Sequence, residues 1–210
     1  MALGTTETLD GRSRRRQRNA AQLYDAATDL LASRSFDELS VEDICAHAGI
    51  GRATFFRIFQ TKAGLLREFN RRLTHDAAAR IARAETADVG STLDHIRAAI
   101  YDAWRTAGPG HLRMAEEFVR GAPSNDPHSA HPELLALIVD TISVAVASGE
   151  LTDAVPVDLA ASLVLIQLIA PMSYMLAGED VDVDRLSQLL LRQWLRGMGV
   201  KRRPRITPAG

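Results

Sequence analysis

Apolar residues recur along this chain with the period of a helix, almost from end to end. Leu23, Ala26, Ala27, Leu30 and Leu31 fall at i, i+3, i+4, i+7 and i+8, and Leu65, Leu66, Phe69, Leu73 and Ala77 follow the same rule. Each set lines one face of a helix. No strand-length period-2 alternation stands out in the 210 residues, so the fold class is all-α, with about nine helices. Leu93, Ile96, Ile100 and Trp104 line another helix, for which Ser91 and Asp94 form a capping box. Further helices are expected over 111–121, 132–148, 157–177 and 183–197, the last with Asp182 as N-cap and Gly197 as its stop. The prolines and turn formers of 121–130 mark a loop, and Pro171 should kink the helix that contains it.

Net charge is −1, but its distribution is uneven: residues 12–72 carry twelve Lys and Arg against seven Asp and Glu, and the remainder is acidic. A basic N-terminal module that meets a polyanion fits this asymmetry. The run Arg12-Ser-Arg-Arg-Arg-Gln-Arg18 allows two readings: an arm that follows phosphates or enters a minor groove, or a solvated basic tail. The second cluster, Lys201–Arg205, reads as a solvated tail. A lone cysteine, Cys45, excludes an intramolecular disulfide, and nothing near Met1 resembles a secretion signal, so the cytoplasm is expected. From Leu159 to Gly178 no residue is charged. That approaches the length of a membrane span, yet Ser162, Gln167, Pro171 and Ser173 interrupt it. A helix buried in a core or dimer interface is the better reading, and no membrane partner is expected.

Ser40 to Phe59 carries the most specific signal. Ser40 and Asp43 form a capping box that opens a short helix, Gly49-Ile50-Gly51 breaks it, and a second short helix begins near Arg52. Ile44, Ala48, Ile50 and Phe55 can lock the pair together. Two helices joined in this way form a helix-turn-helix, whose second member enters a major groove. Arg52 and Arg57 can reach guanine edges or phosphates there, and Thr54 can bond to either. Thr61 and Lys62 open the next helix, where free N–H groups and the lysine ammonium make a phosphate site.

From about Arg16 to Phe69 the chain closely resembles the tetracycline-repressor (TetR) family. The resemblance rests on Leu30-Leu31-Ala32, Phe36, Ser40-Val41-Glu42-Asp43-Ile44, Ala48 through Phe59, and Lys62 with Leu65-Leu66. It implies backbone contacts to DNA from Ser40, Thr54, Phe56 and Lys62, and places Arg52, Ala53 and Arg57 toward bases or nearby phosphates. Where the family usually has tyrosine, Phe56 lacks a hydroxyl for phosphate. Gly51 stands where serine commonly caps the recognition helix, Ser35 replaces a common glycine, and Ala63-Gly64 replaces the usual acidic residue.

The resemblance also implies a C-terminal domain with an effector pocket and a dimer interface made by the last two long helices. The expected organisation is a flexible 1–11, a DNA-binding domain 12–61, a connecting helix 62–84, a ligand-binding and dimerisation domain 85–199, and a basic tail 200–210. Leu163, Ile166, Ile169, Leu186, Leu190 and Trp194 are candidates for the interface. Tyr101, Trp104, Met114, Phe118, Met172 and Met175 are candidates for the pocket, since aromatics and methionines line cavities adaptably, although apolar residues at helical spacing are as a rule core. His128 and His131 beside Asp126 lack a fourth metal ligand, and no hydrolase, nucleotide-loop or metalloprotease motif occurs. The chain is therefore expected to be a non-enzymatic regulator without cofactor or metal. Its partners would be operator DNA, a second copy and a small-molecule effector; the rival is a DNA-binding or interaction dimer without a working pocket.

Overall fold

The computed structural model describes residues 5–84, 88–121 and 131–200, and among these the regular elements are all helices. They are α1 (Thr5–Leu31), α2 (Val41–Ala48), α3 (Arg52–Phe59), α4 (Gly64–Arg83), α5 (Val89–Arg105), α6 (Pro109–Gly121), α7 (Pro132–Ala147), α8 (Val157–Ile169), α9 (Met172–Leu176) and α10 (Val183–Gly197). By internal contacts the chain divides into two compact units: Met1–Arg71 with Thr106–Ala122, and Arg72–Arg105 with Pro123–Gly210.

In the first unit, α1 is a single helix of 27 residues, about 40 Å long at 1.5 Å per residue. Its later turns bury Leu23, Tyr24, Ala27 and Leu31 against α2, α3 and α6. α6 packs closely on it. A Cβ at Gly110 would lie 1.7 Å from the carbonyl oxygen of Thr28, so only glycine permits this approach. Arg113 Nη1 then donates to the carbonyls of Leu31 (2.7 Å) and Arg34 (3.0 Å), satisfying groups that the end of α1 leaves unpaired. Within the expected C-terminal span 85–199, α6 thus falls in the first unit through its packing on α1.

In the second unit, α7 packs on α8, and α10 packs on α5 and α8. Arg97 of α5 is buried and ties the unit together, donating to Asp94 (2.6 Å), to Asp184 of α10 (2.5 Å) and to Ser187 (3.2 Å). α8 buries Ala160, Ala161, Val164, Leu165 and Leu168 while Leu159, Leu163 and Ile166 remain exposed, as does Leu189 of α10. A helix apolar on both sides needs cover on both.

Three local expectations change. The helix expected over 157–177 ends at Ile169 and resumes at Met172, because Pro171 has no N–H and its ring opposes the carbonyl four residues back. Val157–Leu176 has the composition of a membrane span, with 39% of its apolar window buried, but α8 has only 13 residues, about 20 Å against a hydrocarbon core of about 30 Å. At α5 the capping partners are Asp88 and Ser91 rather than Ser91 and Asp94: Asp88 Oδ1 accepts from Ser91 N at 2.7 Å and Ser91 Oγ from Asp88 N at 3.3 Å. Asp94 is taken up by Arg97. Helix α10 keeps Asp182 as its N-cap but runs through Gly197; the left-handed residue is Gly199, at φ 69°.

Candidate nucleic-acid interface

The two short helices form because each end is fixed locally. Ser40 Oγ accepts from Asp43 N at 3.0 Å and donates to Asp43 Oδ2 at 2.7 Å, while Ser40 N donates to the same carboxylate oxygen at 3.3 Å. These bonds hold the Asp43 carboxyl below its usual pKa, with the Ser40 side chain the largest cause. Gly49 ends α2 in the left-handed region at φ 64°, a conformation glycine adopts without strain. Gly51 opens α3 with no side-chain cap. Ile44 and Phe55 are fully buried between the helices, and Phe55 stacks against Phe59 with centroids 5.3 Å apart. Gly64, in the Ala63-Gly64 pair that stands in place of the family's usual acidic residue, is required by packing: a Cβ there would meet the Phe59 carbonyl oxygen at 2.1 Å.

With its core face locked, α3 presents Arg52, Ala53, Phe56 and Arg57 to solvent and leaves Thr54 half-buried. Arg52 pairs with Glu42 at 2.6 Å and lies over the Phe56 ring, 5.8 Å from its centroid. Thr54 and Arg57 face a different environment. Together with Arg12, Arg15, Arg16 and Asn19 of α1 they line a groove of about 600 Å³. Among its described lining side chains are four guanidinium groups and no carboxylate. Ser40 and Lys62 converge elsewhere: Lys62 Nζ donates to the carbonyls of Phe36 (2.6 Å) and Leu39 (3.0 Å) and sits 4.6 Å from the centre of the Phe36 ring. Two of the three donors expected to meet a phosphate thus hold the segment leading into α2.

The basic run at residues 12–18 is helical throughout. The sequence signal for its place beside α3 is the spacing of Arg12, Arg15, Arg16 and Asn19, which is that of one helical face.

Of the expected pocket residues, Met114 and Phe118 belong to the first unit; Tyr101, Trp104, Met172 and Met175 belong to the second. Met114, Trp104 and Met172 are buried, Tyr101 and Met175 half-buried, and the Phe118 side chain lies outside those described. The second unit has a groove of about 390 Å³ lined by Asp88, Thr92, Asp140, Val144 and Glu150 among others, none of them among the six. Among the described residues no cluster of three or more His, Cys, Asp or Glu could hold a metal. Asp126, His128 and the 201–205 cluster lie outside the described residues, and His131 is buried at the start of α7.

A helix-turn-helix whose second helix exposes arginines, in a chain whose described elements are all helices, is the architecture of DNA-binding regulators. Residues 23–69 match the family model described as bacterial regulatory proteins, tetR family. The match covers 47 of the 210 residues, the segment that carries the helix-turn-helix, which is thus similar to the DNA-binding part of that family. Solved structures with the same fold include the transcriptional regulator FadR from Bacillus subtilis in complex with stearoyl-CoA (18% identity, TM-score 0.65, covering 84% of this chain and 98% of that one). The fold is shared with TylP, a TetR regulator from Streptomyces fradiae (20%, 0.60, 88% and 87%), and with SmeT in a triclosan complex (18%, 0.61, 92% and 98%). At these identities the likeness is one of fold. No curated protein matches the chain.

Proposed function

We propose that this protein is a cytoplasmic repressor that binds a palindromic operator as a homodimer and is released by a small molecule. The observation that carries the reading is the presentation of Arg52, Ala53, Thr54, Phe56 and Arg57 on α3, a helix fixed from behind by Phe55 and Phe59. Arg52 and Arg57 read base edges, Ala53 lets the helix approach closely, and Thr54 and Phe56 pack on the backbone, with Ser40 and Lys62 flanking. Dimerisation is supported by the exposed apolar residues Leu159, Leu163, Ile166 and Leu189, which a second copy would cover in a four-helix contact. Two recognition helices would then meet half-sites about one turn, roughly 34 Å, apart.

Effector release is supported by relatives of the same fold that hold stearoyl-CoA and triclosan. Tyr101, Trp104, Met114, Phe118, Met172 and Met175 remain the proposed contacts. A bound effector would act only through its different affinity for the DNA-binding and released states. The burial of Met114, Trp104 and Met172 equally favours a second reading, a constitutive dimer with a filled interior.

The test is selection of bound fragments from sheared genomic DNA by the full chain, followed by a screen of apolar and acyl compounds for release. Enrichment of one palindrome and its release by a compound is the expected result. Enrichment without release by any compound favours the constitutive dimer, and no enrichment sinks both.

A further inference from the structure

The groove between α1 and α3 has an unbalanced electrostatic character. Arg12, Arg15, Arg16 and Arg57 line it with Asn19 and Thr54. None of these four arginines forms an ion pair with a side chain described from Gly11 onward, whereas Arg52, on the same recognition helix as Arg57, is paired with Glu42. Like charges gathered without counter-charge among the described side chains repel one another, and a polyanion laid along them removes the repulsion. Resting on the operator-binding reading above, we infer that the first turns of α1 form a helical rail for the DNA sugar-phosphate backbone bordering the major groove that α3 enters.

Geometry decides between the two roles open to this basic run. An arm that enters a minor groove must be narrow, and that groove is about 6 Å wide. Residues 12–18 are instead part of an α-helix, a cylinder of about 10–12 Å with its side chains, so the run cannot lie in the minor groove. Nor does it share the major groove with α3. Thr54 and Arg57 reach into the common groove from the recognition helix, which puts the arginine face of α1 over the backbone at that edge. From Arg12 to Asn19 the face extends about 10 Å, enough, with the reach of the arginine side chains, to meet two or three successive phosphates, which advance about 3.4 Å per nucleotide along the duplex axis. Arginine suits this role because its planar fork matches phosphate oxygens and its charge is permanent. The rail adds affinity and fixes orientation without reading sequence.

The experiment compares the full-length protein with the triple variant Arg12→Ala, Arg15→Ala, Arg16→Ala, and with the same three positions changed to Lys. Binding to the selected operator and to a random duplex is measured from 50 to 200 mM KCl. Each phosphate contact contributes about 0.9 to the slope of log K against log salt. Loss of three should therefore make the fall in affinity over this range about 40-fold smaller in the alanine variant, on both duplexes, with the preferred palindrome unchanged. The lysine variant should keep most of the wild-type slope. Equal slopes for wild type and alanine variant, at equal thermal stability, would overturn the rail and leave a solvated face. A changed palindrome would overturn it in favour of base reading by α1. Wild-type protein that binds the random duplex but selects no operator would defeat the operator reading alone, since the slope comparison on that duplex still decides the rail; failure to bind either duplex would defeat both.

Discussion

The ammonium of Lys62 lies 2.6 Å from the carbonyl oxygen of Phe36 and 4.6 Å from the centre of that residue's ring. A lysine at the head of α4 thereby fastens the segment that leads into the Ser40 cap, since it also bonds Leu39, the residue before it. Hydrogen bonds from a charged donor contribute about 1.5–3 kcal/mol each when partly shielded, with two here sharing one group. Lys62→Met is expected to destabilise the protein by about 2 kcal/mol in urea unfolding. In DNA binding it should alter the salt slope by no more than about one phosphate contact.

Gly110 and Thr28 set the distance between α6 and α1. Gly110→Ala would place a methyl 1.7 Å from a backbone carbonyl that cannot step aside, and overpacking of this kind costs about 1–3 kcal/mol or more. Gly108, two residues away, meets nothing within 4 Å, so Gly108→Ala should change stability by less than about 1 kcal/mol. Thermal melts of the two variants side by side separate a packing requirement from a general effect of losing glycine.

His131 gives the fold an acid sensitivity. Burial lowers its pKa to about 4 from an ordinary value near 6.5. The folded protein holds it neutral where the unfolded chain takes up a proton. Stability associated with this group is complete above about pH 6.5 and declines as pH falls toward 4, by up to about 3 kcal/mol. Wild type should lose stability between pH 6.5 and 4.5 more steeply than His131→Gln, as followed by denaturant midpoints.

Gln167 on α8 has a buried side-chain oxygen with no hydrogen-bond partner among the described residues. Replacing an unsatisfied polar group by an apolar one of similar shape is neutral or stabilising. Gln167→Met should raise the melting temperature by a few degrees if the residue is only structural. A loss of dimer mass in the same variant would place the oxygen at the interface between copies.

The sequence carried the helix-turn-helix well because its signals are local: a cap within the four residues Ser40–Asp43, a left-handed turn at Gly49, and the apolar Ile44 and Phe55, one on each short helix. Asp182 was legible as a cap for the same reason. Features that depend on distant residues were not. Ser91 has a carboxylate three residues to either side, and only the distant packing that lets Arg97 engage Asp94 leaves Asp88 as its partner. The tight seat of α6 on α1 needs glycine at 110 and a guanidinium at 113, neither of which has a periodic signature. The role of Lys62 depends on two carbonyls more than twenty residues earlier, and carbonyls are invisible to a reading of side chains. By composition the basic run at 12–18 admits an arm or a solvated tail, and the i, i+3, i+4, i+7 spacing of Arg12, Arg15, Arg16 and Asn19 belongs to a helix face.

The central claim is that α3 reads DNA sequence, and a panel of single-base substitutions across one half-site tests it most directly. Binding of wild type and Arg57→Ala to each duplex would be measured at fixed salt by fluorescence anisotropy. The account predicts that substitutions at contacted positions cost wild type about 1–3 kcal/mol each, and that Arg57→Ala loses discrimination at one position while keeping it at the others. Equal wild-type affinity for every duplex in the panel would contradict it.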